Sequence, residues 1–231
     1  MELFKIRANA AGQIMPGPRG KVGEWQEANK TYLDKWLKEQ IYNRRKEITS
    51  KYLEKGIEVE DKSIEFASEI LELGMVFKNE VSKSTEYITG TADIVLESEV
   101  IDIKNSWDFS TFPLFEVEIP KAYWWQLQCY MFLYNKPNAR LVYTLTDTPI
   151  HLIDDEIRRQ AWKAGFIEPP EEFQCEIERN LTYSDIPDSL KIKTFKLERD
   201  EMAIEALIER VKMAREYIDK QLNSMLTWQT K

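Results

Sequence analysis

Apolar side chains return along this chain with two different periods. Trp25, Ala28, Tyr32, Leu33, Trp36, Leu37 and Ile41 recur at spacings of three and four, the stripe of an amphipathic helix that should run to about residue 48. A short apolar opening, ELFKI, precedes it, followed by a loop broken by Pro16, Gly17, Pro18, Gly20 and Gly23. Helical spacing also predicts a second helix over residues 58–73, stopped by Gly74, and a long final one from residue 200 to 222. Between them the period shortens towards two. Strands are expected over residues 76–82, 87–96, 100–105 and 139–147, with weaker strand signals over 173–184 and 191–198. Residues 119–135, IPKAYWWQLQCYMFLYN, are apolar nearly all round, as a buried helix is, and residues 154–166 read as another helix. The pattern is that of an α/β chain, a mixed sheet flanked by helices, with residues 1–231 forming one domain.

One of these strand pairs has an odd inner face. Residues 90–107, GTADIVLESEVIDIKNSW, form two short runs about the polar centre Glu97-Ser98, which predicts a β-hairpin. A turn centred there sets Val95 against Val100, Asp93 against Asp102 and Thr91 against Lys104. Opposed side chains have Cβ atoms only about 4.5–5.5 Å apart, and like charges at that distance destabilise the pair. A hard divalent cation held by carboxylates and carbonyl oxygens would offset the repulsion, and Lys104, two residues beyond Asp102 on the same face, also reaches the spot. On the helix expected after Gly56, Glu60 falls within about 80° of arc with Ile57, Ile64 and Leu71, while Glu58 lies on the side of Lys62. Glu60 is thus the acid expected to point inward, and an inward carboxylate needs a partner.

Charge changes the picture of what such a site would act on. The net charge of −8 argues against a nucleic-acid partner, yet residues 1–55 carry 12 Lys or Arg against 7 Asp or Glu, whereas the remaining residues carry 20 against 33. The cluster NRRKE with Arg44 and Arg45 reads either as a phosphate-contacting patch or as a solvated helix face. No run is long and apolar enough to span a membrane, and MELFKIRANA lacks a secretory apolar core, so a cytoplasmic location without membrane partners is expected. Cys129 and Cys175 form no CxxC pair, so neither a zinc ribbon nor an iron-sulphur cluster is suggested, and both read as buried thiols. His151, the single histidine, reads as structural. The aromatic-rich segment 107–125 reads as core, with a stacking surface for DNA ends as the alternative.

Taken in order, Glu60, GTAD with Asp93, DIK at residues 102–104 and QLQCY with Gln126 and Tyr130 resemble the PD-(D/E)XK nuclease superfamily, most closely the recombination nucleases of the phage lambda exonuclease and YqaJ type. The opening IRANAAGQIM is similar to that group's as well, although Asn9 stands where a Ser is common and Thr-Ala precedes Asp93 in place of Pro. The resemblance implies a restriction-endonuclease-like core and hydrolysis of DNA phosphodiester bonds assisted by magnesium or manganese, with two ions. Asp93, Asp102 and the carbonyl of Ile103 would hold one ion, and Glu60 with Asp93 the second. Lys104 would orient the attacking water, Gln126 would position Lys104 or that water, Tyr130 would brace the phosphate, and Arg7 would contact phosphate. Gln128 is the alternative to Gln126, either one being able to satisfy a buried backbone group instead. The resemblance further implies a 5′ to 3′ double-strand exonuclease, phage- or bacterium-encoded, working with a single-strand annealing protein and able to form homo-oligomers. A structure- or sequence-specific endonuclease of the same fold, and an inactive nucleic-acid-binding protein, are the alternatives.

Overall fold

In a computed structural model of the chain, which describes residues 2–17, 23–46 and 49–229, two mixed sheets are flanked by helices, the α/β arrangement that the periodicity predicts. The smaller sheet has the order β1-β3-β2, from Ile6–Arg7 (β1), Lys83–Ser84 (β2) and Ile88–Gly90 (β3), with β1 parallel and β2 antiparallel to β3. The main sheet runs Ile94–Val95 (β4), Glu99–Asn105 (β5), Asn138–Thr144 (β6) and Ile192–Glu198 (β7). Its central pair β5-β6 is parallel and its outer pairs are antiparallel.

The all-round apolar helix is α4, Lys121–Tyr134, and it lies in the middle of the largest core. Trp125, Leu127, Cys129 and Met131 are buried there with Val100 of β5, Leu141 of β6 and Phe195 of β7. It also packs on the 3-10 helix Ala8–Gln13. Gly90 permits the approach of β3, since a Cβ there would stand 2.8 Å from the Ala8 Cβ and 2.9 Å from a Tyr130 ring carbon.

Several expectations need correction, each for a local reason. The first helix, α1 (Glu27–Tyr42), stops well before residue 48, a position outside the described residues, because Asn43 turns left-handed at φ 47° and its N–H caps the helix. The second, expected over 58–73, is α3 (Glu60–Ile70), and a break at the buried Val59 separates it from a helix that was not expected, α2 (Lys51–Glu58). That break exposes Ile57 to 65% and removes it from the arc used to orient Glu60. Residues 76–82 form no strand; Asn79 donates its backbone N–H to Asp93 O at 2.7 Å, and Phe77 faces solvent. The run 87–96 is interrupted at residues 91–93. α5 (Ile150–Ala164) starts earlier than expected, on the turn set by Pro149. Residues 173–184 hold no strand: their first half lies in α6, Glu171–Arg179, which Pro170 and two first-turn glutamates initiate. On this helix Cys175 is exposed, not buried. α7, Glu201–Gln229, closes the chain, and no helix among the described residues is long and apolar enough to cross a membrane.

Candidate active site

The hairpin register follows the expected sum: Val95 pairs with Val100 and Ile94 with Ile101. The ladder then ends. Instead of continuing it, Asp93 turns its carboxylate inward, and Oδ2 accepts the backbone N–H of Ile103 at 2.6 Å. Asn79 fixes this bend, donating from its side chain to Ala92 O at 2.9 Å and to the Tyr134 hydroxyl at 3.0 Å. Asp102, on the face that looks towards α4, is 1% exposed. Gln126 Nε2 donates to its Oδ1 at 3.0 Å, and Lys104 Nζ stands 2.8 Å from its Oδ2. The same Gln126 amide donates to the Tyr130 hydroxyl at 2.9 Å, and the Tyr123 ring lies 5.3 Å from Lys104 Nζ.

Burial and mutual repulsion dominate the electrostatics of this trio. Asp93 is pushed up to about 7, by burial first and by the Asp102 charge second, against the opposing pull of Lys104 and the Ile103 N–H. Asp102 is raised as well, by burial above all, with Lys104 working against the shift. Burial alone would lower Lys104, but Asp102 and Asp93 outweigh it and hold the ammonium above its ordinary value. Two acids that resist ionising beside one retained cation are the kind of perturbed cluster that marks a functional site.

Glu60 is the first residue of α3, and its charge reaches both aspartates. Its carboxylate is engaged by Lys78 at 2.6 Å. Among the described residues no three Asp, Glu, His or Cys side chains converge in metal-ligand geometry, so the aspartate pair, not a three-acid cage, is what the fold preforms. Glu58 is exposed beside His151, whose Nε2 is 3.5 Å away. Tyr130 is buried beside Gln126, and its hydroxyl accepts from the Gln126 amide. Gln128 serves the backbone, donating to Glu198 O and accepting from the Asp200 N–H, both at 2.9 Å. Arg7 is exposed next to Thr89 in the small sheet, four residues before Asp93, and Arg44 and Arg45 are exposed beyond the end of α1.

Two supporting groups escape sequence reasoning. Asn105 ends β5 and donates to Ser63 of α3 at 3.1 Å and to Thr146 at 2.7 Å, tying the helix that carries Glu60 to that strand. Lys55 of α2 is 1% exposed and donates to the carbonyls of Ser106 and Trp107 at 3.0 and 2.8 Å, pinning the chain just after Lys104. Its burial lowers it to about 8, with Asp108 and Asp147 opposing. Set in KYLEKGIE, with Glu54 and Gly56 on either side and Lys51 one turn before it, Lys55 carries no signal that distinguishes a buried ammonium from a surface one.

No family model and no curated protein sequence matches the chain. Among solved structures it is similar to a phage-related exonuclease from Haemophilus somnus 129PT, with 25% identity, 97% of both chains covered and a TM-score of 0.80. It is also similar in fold to an alkaline exonuclease from Laribacter hongkongensis, at 14% identity and TM-score 0.66, covering 99% of this chain and 94% of that one. The same enzyme in complex with dAMP gives 14% identity and TM-score 0.65. The fold is similar to that of the PD-(D/E)XK nucleases, and Asp93, Asp102 and Lys104 lie together within it. Within that class the likeness is to the exonucleases of the lambda exonuclease and YqaJ type.

Proposed function

We propose that this chain is a metal-dependent deoxyribonuclease that degrades linear duplex DNA from 5′ ends. The observation that carries the reading is the buried Asp93-Asp102 pair with Lys104 beside it, set in a fold shared over 97% of both chains with an exonuclease. A metal fits these residues. Both carboxylates are held towards their protonated forms, and Asp102 Oδ2, though ion-paired with Lys104, receives no aligned hydrogen bond. Oxygen donors of this kind suit magnesium or manganese. Asp93, Asp102 and the Ile103 carbonyl would hold one ion, and Glu60, once released from Lys78, would join Asp93 at a second. Bound there, the ions would supply charge for both the attacking and the leaving oxygen of the phosphodiester.

The chain's own groups do the positioning. Gln126, fixed by Tyr130, holds Asp102 in one orientation, and the Asp93 carboxylate is fixed by the Ile103 N–H. Lys104, retained as an ammonium by the two acids, would orient the attacking water and steady the phosphate. The dAMP bound by the Laribacter enzyme supports DNA as the substrate class. Strand polarity and an annealing partner rest on the resemblance to the recombination nucleases.

A linear duplex labelled at its 5′ ends and a closed circular duplex, each incubated with and without magnesium, test the reading. The expected result is loss of linear DNA only, dependent on magnesium, with early release of the 5′ label. Asp93→Ala, Asp102→Ala and Lys104→Ala should each lower the rate by about 100-fold or more while the fold is retained. Undiminished hydrolysis in EDTA, or wild-type rates in all three variants, would overturn the metal site, and cutting of the circle would make the enzyme an endonuclease.

A further inference from the structure

Lys104 does not stand alone on its face of the main sheet. It is the register partner of Tyr143 on β6, which is the partner of Lys193 on β7, so the three side chains form one row. Adjacent strands lie about 4.8 Å apart, which puts Lys193 roughly 10 Å from Lys104. Aromatic rings interleave with the cations. Tyr143 meets Tyr123 and Phe195 edge-on, each at 6.1 Å between centroids, and Lys193 Nζ is 5.7 Å from the Phe195 ring. Tyr123, Tyr143 and Lys193 are all partly open to solvent.

The loop of residues 106–120 overhangs the far end of this row. Lys193 Nζ donates to Leu114 O at 3.4 Å, and the Glu116 charge reaches Tyr143. Phe112 anchors the loop, buried against Leu145 and Tyr183. Phe115, three residues on, is 88% exposed. The segment is therefore divided between core and surface, and its surface ring is carried next to a row of cations that begins at the candidate catalytic lysine.

A cationic track with aromatic rings beside it is the arrangement that binds single strands without regard to sequence, through phosphates and base stacking. Resting on the nuclease reading above, we propose that Tyr143, Lys193 and Phe115 form a second strand-binding subsite flanking the catalytic centre. Lys193 takes a backbone phosphate beyond the scissile one, and Phe115 and Tyr143 stack the neighbouring bases. Glu116 is the acid at this subsite and weakens phosphate binding there.

The test uses metal-free full-length protein in EDTA and a linear duplex with 2-aminopurine within a few nucleotides of its end, read by anisotropy and by 2-aminopurine fluorescence. Wild type should quench the probe. Phe115→Ala, at a surface position that does not threaten folding, should remove most of the quenching and weaken binding by about tenfold, within the range for loss of one stacked base. Lys193→Ala should weaken binding and reduce the salt slope by about one unit, with Lys193→Arg restoring it. Glu116→Gln should tighten binding. Affinity and fluorescence within twofold of wild type for both Phe115→Ala and Lys193→Ala, in a protein that degrades linear DNA, would overturn the subsite and leave the nuclease reading standing. A wild type that neither binds nor degrades DNA would overturn both.

Discussion

Glu58 and Glu60 sit two positions apart and have opposite surroundings. Glu60 lies at the start of α3 with its charge felt by both aspartates, whereas Glu58 faces solvent near His151. Glu60→Gln should lower DNA hydrolysis at saturating magnesium by at least about tenfold, or about 1.4 kcal/mol of transition-state stabilisation, and Glu58→Gln should change it little. Equal losses in side-by-side rate measurements would remove Glu60 from the site. The expectation that Glu60 points inward came from a helical arc that the fold does not contain, since Ile57 is exposed and a break at Val59 separates the two residues. What places Glu60 is that break. The two glutamines of α4 show a related limit, because both are buried polar groups in an apolar helix and periodicity cannot tell which one meets a carboxylate. Only the strand behind each decides it: β5 brings Asp102 to Gln126, and the end of β7 brings its backbone to Gln128.

At the scale of elements, the site depends on how closely β3 and α4 approach, because β3 leads into Asp93 and α4 carries Gln126. Gly90 sets that distance. Gly90→Ala would drive a methyl against Ala8 and Tyr130, and overpacking of this kind costs about 1–3 kcal/mol. Urea unfolding should show a loss of that size, and the activity that remains should fall too, since Tyr130 orients Gln126. Unchanged stability would mean the 3-10 helix yields freely. Long regular elements were legible: α4, β5, β6, β7 and α7 lie close to where the periodicity puts them. Short or polar ones were not. Residues 173–179 alternate too weakly to separate strand from helix, and Pro170 with Glu171 and Glu172 was the signal that α6 begins there.

For the molecule as a whole, the buried acid pair links pH to stability and, on the proposed function, both to metal. Burial and the Asp102 charge push Asp93 up to about 7 from its ordinary value near 3.8, so between those values the native protein binds more protons than the unfolded one. Stability of the metal-free protein therefore falls as pH rises through that window, and Asp102 pushes in the same direction. In the proposed metal site a divalent cation would take the proton's place. Thermal unfolding with and without magnesium should then show a larger rise in Tm at about pH 8 than at about pH 5.5, where the metal must displace protons. Asp93→Asn should raise the metal-free Tm at the higher pH and abolish most of the magnesium effect, and a magnesium response independent of both pH and Asp93 would contradict the linkage.

The sequence by itself determined the α/β class, the buried helix and the hairpin that brings Asp93 near Asp102. Each of these follows from local periodicity and a two-residue turn, in which residues near in the chain meet in space. Only the tertiary structure decided that Asp93 leaves the ladder to take the Ile103 N–H, that Lys78 engages Glu60, that Lys55 is buried under Trp107 and that Lys193 falls into line with Lys104. Those pairings span from 10 to nearly 90 residues of chain. They depend on strand register and on which loops pack over a sheet edge, and the physical forces that set these act between segments that carry no imprint of one another in their own sequence.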